Sequence, residues 1–310
     1  MKDKITVIIP VFNRENSIEK TIESVQRQIC KDFSILIIDD GSKDGSKDKI
    51  FKLMEKYENI DYKYKENGGV SSARNLGIKL SQSKYISFLD SDDFYDRNFI
   101  GEMLTSIKEN KSDMSACGFC VKDENGKREV RNDFREKNIL YNYILGKNTF
   151  HTSSFVFSRK FLLDKNIYFD EELSWGEDIK FFIKAMSKSE DISIVKKYLT
   201  TYVKDSDDIA LSSFSLDKND LDYKFIKHIL EDKDIILDPK EKDCLVNYKF
   251  VGLITYRLIK AINMGYDKDQ IRKYYDKYRS YLKNLSMKHG LRSIKLWLNL
   301  KKLEKSLKIQ

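Results

Sequence analysis

Short apolar runs alternate with helix-like segments through the first 100 residues, and this alternation constrains the fold more than any other feature. Four runs are separated by turn residues and charges: KITVIIPVF, FSILIID, NIDYKYKEN and KYISFLD. Between the first two, residues 15–29 place Ile18, Ile22, Val25 and Ile29 at helical spacing. Buried strands that alternate with helices indicate a parallel sheet with helices on both faces. We therefore predict an α/β fold, with the least apolar third run near an edge.

The remainder of the chain divides into a mixed part and an all-helical part. In the mixed part, the Asn125-Gly126 pair predicts the turn of a hairpin, and the Ser/Asp-rich segment 205–217 predicts a polar, mobile loop. Helices are predicted at 97–109, 134–146, 177–189, 218–231, 240–264, 268–285 and 291–307. We expect two domains, a mostly parallel Rossmann-like domain over residues 1–215 and a helical appendage over 216–310.

The positive charge lies mainly in the C-terminal tail. The chain has a formal net charge of +8, and residues 286–310 hold seven Lys/Arg and one Glu, or +6, so 1–285 carry only +2. This distribution argues against a nucleic-acid-binding body and favours a tail that meets something anionic. The tail also has a leucine stripe, formed by Leu296, Leu300, Leu303 and Leu307. Either the tail lies on an anionic membrane surface, or the stripe packs against protein.

Several classes of protein and site find no support in the sequence. The chain has no run of 18 apolar residues and no segment typical of a signal peptide, so we expect a cytoplasmic protein. Cys117 and Cys120 form a CxxC, but they lie in a predicted strand and are more simply buried small residues. GxGxxG, GxxxxGK[ST] and HExxH motifs are absent from the sequence.

Polar and glycine residues follow each of the four predicted strands. In order, they are Pro10, Val11, Phe12 and Asn13; Asp39, Asp40, Gly41 and Ser42; Asn67, Gly68 and Gly69; and Asp90, Ser91, Asp92 and Asp93. Ligands of parallel α/β sheets bind at the carboxyl ends of the strands. We therefore predict the binding site at this edge of the sheet.

The carboxylates after the fourth strand need compensation for their mutual repulsion. Asp90, Asp92 and Asp93 lie within four residues, directly after an apolar run. Each carboxylate requires either a raised pKa or a cation, and a hard divalent ion with oxygen ligands is the simplest solution. The alternative is that an aspartate caps the next helix and interacts with its dipole.

The combined motifs resemble those of the family-2 glycosyltransferases, which have the GT-A fold. The resemblance rests on ITVIIPVFNRENSIEKTIESVQRQICKDFSILIIDDGSKDGS, NGGVSSARNLGI and YISFLDSDDFY, and it continues to FDEELSWGEDIKFF. It covers most of residues 4–100 in the expected order and spacing, and beyond about residue 215 we find no specific similarity. The first strand is followed by PVFNREN, without the glycines that a related nucleotidyltransferase needs.

The resemblance implies a role for each matching residue. Pro10, Val11 and Phe12 would line the nucleotide base with Asn13, and Asp39 and Asp40 match an acidic pair, of which we favour Asp40 as the reader of uracil or ribose. Asn67, Gly69 and Arg74 would border the nucleotide and the donor sugar. Asp90-Ser91-Asp92 matches the DXD motif, with Asp92 on a Mn²⁺ or Mg²⁺ ion and Asp90 on the ribose or a metal-bound water. Asp178 matches the general base.

The implied activity is an inverting, metal-dependent transfer of a hexosyl or N-acetylhexosaminyl group from a nucleotide-sugar, most simply a UDP-sugar. A carbohydrate, lipid-linked or protein acceptor would belong to surface polysaccharide or glycoconjugate synthesis, and Trp175, Glu177 and His151 are candidates to contact it. The alternatives are a nucleotidyltransferase of related architecture and a non-catalytic sugar-nucleotide-binding scaffold. Contact with the inner face of the cell membrane through 286–310 and a homo-oligomer both stay open, and no nucleic-acid partner is expected.

Overall fold

The computed structural model describes residues 4–204 and 214–309. These residues form two compact units, the first from 4–139 and 148–204 and the second from 140–147 and 214–309. The second unit thus includes 140–147, which the sequence division placed in the first domain. The loop predicted as mobile lies largely in 205–213, outside the described residues. The predicted domain boundary, between residues 215 and 216, lies just after this gap.

A nine-stranded sheet forms the centre of the first unit. Its strands are β1 (Ile5–Val11), β2 (Phe33–Asp39), β3 (Ile60–Tyr64), β4 (Tyr85–Phe88), β5 (Phe94–Tyr95), β6 (Met114–Asp123), β7 (Gly126–Glu129), β8 (Phe155–Ser158) and β9 (Ile192–Val203). They run in the order β3-β2-β1-β4-β8-β6-β9-β5, with β7 paired to β6. The first four strands are mutually parallel, with β3 at the edge as predicted, whereas β8 runs antiparallel to both β4 and β6.

Helices cover both faces of the sheet. They are α1 (Ile18–Gln26), α2 (Ser46–Lys56), α3 (Val70–Leu80), α4 (Phe99–Glu109), α5 (Ile139–Ile144), which begins at the last residue before the second unit, α6 (Arg159–Asp164) and α7 (Glu177–Lys188). Alternate β1 residues such as Val7 share one core cluster with α1, α2 and α4. On the opposite face, Ile8 meets α3 at Gly77, and Phe88 of β4 packs against Phe181 of α7. The predicted α/β architecture is confirmed.

The described part of the second unit is helical, as predicted. Besides most of α5 it contains α8 (Lys218–Glu231), α9 (Pro239–Cys244), a π-helical turn (Leu245–Phe250), α10 (Val251–Asn263), α11 (Lys268–Lys277), α12 (Arg279–Lys283) and α13 (Leu291–Ser306). Among residues 4–204 and 214–309, every helix lacks the length and apolarity needed to cross a bilayer.

The leucine stripe of the tail packs inside the second unit. Leu300, Leu303 and Leu307 are almost fully buried, and Leu296 lies beside Gly252 of α10. This observation supports the packing alternative for the stripe itself. A second apolar row on α13 is exposed, with Leu291 at 84% and Leu298 at 48% of full accessibility, together with Ile294 and Trp297. We call Leu291, Ile294, Trp297 and Leu298 the exposed row.

Two local predictions were imprecise. The helix predicted over 134–146 is limited to α5, because residues 130–138 hold almost no regular structure. The hairpin turns at Glu124-Asn125, one residue earlier than predicted, since Asp123 pairs with Gly126. The CxxC cysteines are free and buried within β6, as the simpler interpretation predicted.

Candidate active site

The loops after β1, β2 and β3 interlock at the carboxyl edge of the sheet. The backbone N–H of Asn13 donates to Ser42 Oγ at 3.0 Å, and Asn13 Oδ1 accepts from the N–H of Lys43 at 2.9 Å. Asn67 Nδ2 donates to the carbonyl of Asp40 at 2.9 Å. The three polar clusters of the sequence therefore lie together, as the parallel topology predicted.

The loop after β1 separates its residues into buried and exposed ones. Pro10 and Val11 are buried in the strand, so they offer little accessible surface to a ligand. Phe12 is 47% exposed, and Asn13 next to it has a left-handed φ of 52°. An exposed aromatic ring at the carboxyl edge of the sheet is suited to stacking against a planar base.

Both aspartates of the second cluster are buried and hydrogen-bonded to neighbouring loops. Asp40 accepts the backbone N–H groups of Gly68 at 2.9 Å and Gly69 at 2.8 Å, and its other partner is the Lys65 ammonium at 2.5 Å. The carboxylate thus fixes the loop of residues 67–69. Asp39 accepts from Ser42 N–H and from the hydroxyl of Tyr62. Burial and this Asp39 contact raise the pKa of Tyr62, so the phenol stays a donor.

Two glycines are required where these loops approach each other. Gly41 has a φ of +85°, and a Cβ there would lie 3.0 Å from the backbone nitrogen of Asn67. Gly69 has a φ of +86° at the start of α3, with open space around it. A side chain at either position would strain the backbone, and at Gly41 it would also push the two loops apart.

Arg74 connects the cluster after β4 to the start of α7. This arginine of α3 is 4% exposed, and it donates to Asp90 Oδ1 at 2.7 Å and to Glu177 Oε1 at 3.4 Å. Burial opposes the ionisation of Asp90, but the Arg74 guanidinium holds the pKa of that carboxyl below its usual value. Asp92 lies 3.4 Å from a different cation, the guanidinium of Arg14. Ser91, which separates Asp90 from Asp92 in the sequence, is buried.

Asp93 is a fully buried carboxyl behind the DXD motif. It accepts the N–H of Val203 at 3.0 Å and the hydroxyl of Ser153 at 3.3 Å, and it lies 3.4 Å from His151 Nδ1. Burial, followed by the charges of Asp90 and Asp92, raises the pKa of Asp93 well above its usual range. The structure thus places His151, predicted as an acceptor contact, against the carboxylate cluster.

The residues of this cluster fit a divalent cation. Ligand atoms of Asp90, Asp93 and His151 lie within 4.8 Å of one another. Carboxylate oxygens suit Mg²⁺ and Mn²⁺, and imidazole is a further ligand for first-row metals. Burial first, and then the charges of Asp90 and Asp92, oppose the ionisation of Asp93, and a bound cation would favour its charged form.

The candidate base lies at the first turn of α7. Gly176 precedes the helix in a left-handed conformation, with φ 73°, and Asp178 Oδ1 accepts the N–H of Ile179 at 2.7 Å. Burial and the neighbouring Asp178 raise the pKa of Glu177 to about 7, although Arg74 opposes the shift. Trp175 is half-buried immediately before this turn. Arg74 therefore brings the Glu-Asp pair and the DXD motif into one site.

Comparison with known proteins decides the family. The profile described as Glycosyl transferase family 2 matches residues 6–169, which include the clusters after β1, β2, β3 and β4. The chain belongs to glycosyltransferase family 2. Two relatives of this family-2 glycosyltransferase illustrate its similarity to known proteins. It is 29% identical over 290 residues to the poly(ribitol-phosphate) β-N-acetylglucosaminyltransferase TarP of Staphylococcus aureus, over 91% of this chain and 87% of TarP.

The second relative is an uncharacterized glycosyltransferase, EpsJ of Bacillus subtilis. It is 26% identical over 207 residues, which is 64% of this chain and 60% of EpsJ. The chain spans less than two thirds of the length of EpsJ and of two further glycosyltransferase relatives, from Rickettsia bellii and Rickettsia felis.

A solved structure shares the fold of this family-2 glycosyltransferase. Residues 1–349 of TarS from S. aureus, in complex with UDP, superpose with a TM-score of 0.72 at 21% identity, over 98% of this chain and 91% of that one. At this identity the similarity establishes the fold, and the GT-A architecture implied by the sequence motifs is confirmed.

Proposed function

We propose that the protein is an inverting, metal-dependent glycosyltransferase that moves a sugar from UDP to a hydroxyl of a surface polymer. The observation that carries this proposal is the position of Arg74 between Asp90 and Glu177. Through it, a carboxylate cluster suited to a cation lies next to the helix turn that presents Asp178. Departure of a diphosphate and deprotonation of a hydroxyl need these two groups in one site.

The donor would bind across the carboxyl edge of the sheet. Phe12 offers an exposed ring for the base, and Asp40 holds the loop that contains Asn67 and Gly69. Asp40 as the reader of uracil or ribose stays part of the proposal, and the buried Asp39 beside it is the other candidate. The choice of UDP is supported by the TarS complexes with UDP and with UDP-GlcNAc, which share this fold.

Asp92 and Asp90 would hold Mn²⁺ or Mg²⁺, and Asp93 and His151 offer further ligand atoms within 4.8 Å of that of Asp90. The ion, when bound, would neutralise charge that develops on the leaving diphosphate. Arg74 fixes the orientation of Asp90 by its 2.7 Å hydrogen bond, and Asp93 is fixed by Val203 and Ser153. The protein's contribution is thus a rigid set of carboxylates whose charge favours a cation.

Asp178 would remove the proton of the attacking hydroxyl. A carboxylate that assists attack from the face opposite to the leaving group would invert the anomeric centre. Because its pKa is raised to about 7, Glu177 is partly protonated near neutral pH, which reduces the negative charge next to Asp178. Trp175 precedes the pair and is the candidate surface for a sugar or polyol of the acceptor.

The acceptor would be a polyol-phosphate chain or a related surface glycan. TarP carries a poly(ribitol-phosphate) acceptor in its name and matches 91% of this chain, which supports that acceptor class and an N-acetylhexosaminyl donor. A nucleotidyltransferase is less well supported, because the loop from Pro10 lacks the glycines such enzymes need. A non-catalytic scaffold would not explain a complete set of Asp90, Asp92 and Asp178.

The exposed row of α13 would provide peripheral membrane contact. It places Leu291, Ile294, Trp297 and Leu298 on the surface of a tail segment with a net charge of +6. Apolar side chains flanked by lysines are suited to an anionic bilayer surface. A second copy of the chain is the competing occupant.

Release of nucleoside diphosphate from UDP-, GDP- and dTDP-sugars tests the proposed function. Slow release from one UDP-sugar with Mn²⁺, abolished by EDTA and in Asp92→Ala, is the expected result. Failure of every donor to bind by calorimetry would contradict the proposal and favour the scaffold alternative. Binding without turnover would direct the search to the acceptor.

A further inference from the structure

A cleft lined by tyrosines lies in the second unit. Its volume is about 330 Å³, and it is lined by Asp220, Tyr223, Lys277, Tyr278 and Tyr281. These residues come from α8, from the end of α11, from α12 and from the single residue between α11 and α12, so all of them belong to the helical unit. The volume lies within the range of small-molecule sites.

The three tyrosines that line the cleft all pack against the ring of one buried phenylalanine. Phe250 lies beneath the tyrosines, with ring centroids 5.1 Å from Tyr281, 5.7 Å from Tyr278 and 6.0 Å from Tyr223. Tyr223 is 36% exposed, whereas Tyr278 is buried. The cleft therefore has a rigid aromatic base and at least one ring that presents its surface to solvent.

The same cleft contains a polar group of each charge. Asp220 accepts a short hydrogen bond from the hydroxyl of Tyr278 and a 2.8 Å bond from Lys277 Nζ. The side chains of Asp220 and Lys277 are 42% and 52% exposed, so both keep free hydrogen-bonding capacity towards solvent. Burial, followed by Asp220, raises the pKa of Tyr278, which keeps this phenol protonated.

This combination selects the chemistry of a ligand. Aromatic faces pack against the C–H groups of a sugar or sugar alcohol, while a carboxylate, an ammonium and phenols bind its hydroxyls. An apolar ligand would leave Asp220 and Lys277 without their solvent partners.

We propose that the tyrosine cleft binds a hydroxyl-rich unit of the acceptor chain, a sugar or sugar alcohol, at a subsite separate from the carboxylate site. This inference rests on the proposed function for the existence of a polymeric acceptor. A subsite of this kind increases the affinity for long chains by a second point of attachment and leaves the chemical step unchanged.

Binding of polymers to the full chain tests the subsite, measured by saturation-transfer NMR and calorimetry. The probes are a poly(ribitol phosphate) chain of defined length and a neutral dextran of similar length, which distinguish a polyol-phosphate from a plain saccharide. The variants are Tyr223→Ala and Tyr223→Phe. The control is Tyr256→Ala, because Tyr256 is 67% exposed in the same unit and does not line the cleft.

Tyr223→Ala should weaken binding of one of the two chains about tenfold, which corresponds to one modest contact. Tyr223→Phe should retain most of the affinity because it keeps the ring, and Tyr256→Ala should match the wild type. Equal affinity of Tyr223→Ala and Tyr256→Ala for the polymer would overturn the subsite. Failure of both polymers to bind the wild type would overturn it as well. UDP binding to the wild type, measured in parallel, tests the proposed function separately. A wild type that does not bind UDP would count against that function. A wild type that binds UDP but neither polymer would count against the subsite alone.

Discussion

Asp90 and Glu177 share one guanidinium, although 87 positions of sequence separate them. Arg74 lies 2.7 Å from the first carboxylate and 3.4 Å from the second, and its own side chain is 4% exposed. The DXD motif and the helix turn of the candidate base are therefore held at a fixed separation by a buried cation. Removal of this cation should disturb both.

Arg74→Ala should destabilise the protein by about 3 kcal/mol, since it leaves two poorly hydrated carboxylates without a partner. Urea unfolding followed by circular dichroism measures the change. Lys56→Ala provides the control, because Lys56 is 60% exposed and solvent screens its ion pair with Glu23, so its loss should destabilise the protein much less. Similar destabilisation by the two variants would show that the arginine is not the buried link described above.

Glu177→Gln should change stability in a pH-dependent manner. The folded-state pKa of Glu177 is raised to about 7, so the folded protein binds the extra proton between about pH 4.5 and 7. The carboxyl therefore lowers stability progressively as pH rises through this window, and the loss is complete above the folded pKa. Relative to the wild type, Glu177→Gln should gain thermal stability from pH 4.5 to 8.

The measurement is the melting temperature of both proteins at half-unit pH intervals. A difference between them that stays constant over pH 4.5–8 would contradict the shifted pKa of Glu177. Loss of the Glu177–Arg74 contact adds an offset at every pH, so only the change of the difference with pH is informative.

Asp178→Asn should reduce the rate of sugar transfer by about 10²–10⁴, the usual contribution of a general base. The affinity for UDP, measured by calorimetry, should remain unchanged, because the residue is assigned to the acceptor side. Transfer at the wild-type rate would exclude Asp178 as the base. Loss of UDP affinity would instead indicate that this carboxylate helps to bind the donor nucleotide.

Gly77→Ala should destabilise the first unit, because a Cβ at this position would lie 2.4 Å from Ile8 Cγ2. Overpacking of this kind costs about 1–3 kcal/mol. Gly101→Ala is the matched control within α4, since its Cβ would meet only Cys30 at an ordinary 3.6 Å. The control should be neutral or stabilising by about 0.5–1 kcal/mol. A more stable Gly77→Ala would refute the close approach of α3 to β1.

The exposed row of α13 predicts flotation of the protein with vesicles that contain phosphatidylglycerol. Trp297→Ser with Leu298→Ser should abolish flotation, whereas Leu80→Ser, an exposed leucine of the first unit, should not. No flotation of the wild type would contradict membrane contact. A wild-type oligomer that the double variant dissociates, by light scattering, would assign the row to a second copy.

Much of the fold follows from local sequence patterns. The β-branched runs at Ile5–Val11 and Phe33–Asp39 have the composition of strands buried on both faces, and parallel topology then places their polar C-terminal residues together. The carboxylates from Asp90 to Asp93 were identifiable because three like charges directly after a buried strand require compensation. The Glu177-Asp178 pair came from family resemblance.

Other parts of the site have no local signal. His151 reaches Asp93 only because β8 pairs with β4 and β6, and no spacing in the sequence indicates that proximity. Arg14 next to Asp92 and Arg74 next to Glu177 are likewise long-range contacts. No local sequence pattern predicts the tyrosine cleft, because Tyr223 and Tyr281 lie on separate helices and only the packing of these helices brings them into contact.

Calorimetric binding of UDP with and without Mn²⁺, to the wild type and to Asp92→Ala, tests most directly whether the DXD motif holds an ion for the donor. Mn²⁺ should strengthen UDP binding to the wild type at least tenfold, and Asp92→Ala should bind UDP weakly with or without the ion. UDP binding that is equally tight in all four experiments would contradict a metal ion that links Asp92 to the donor.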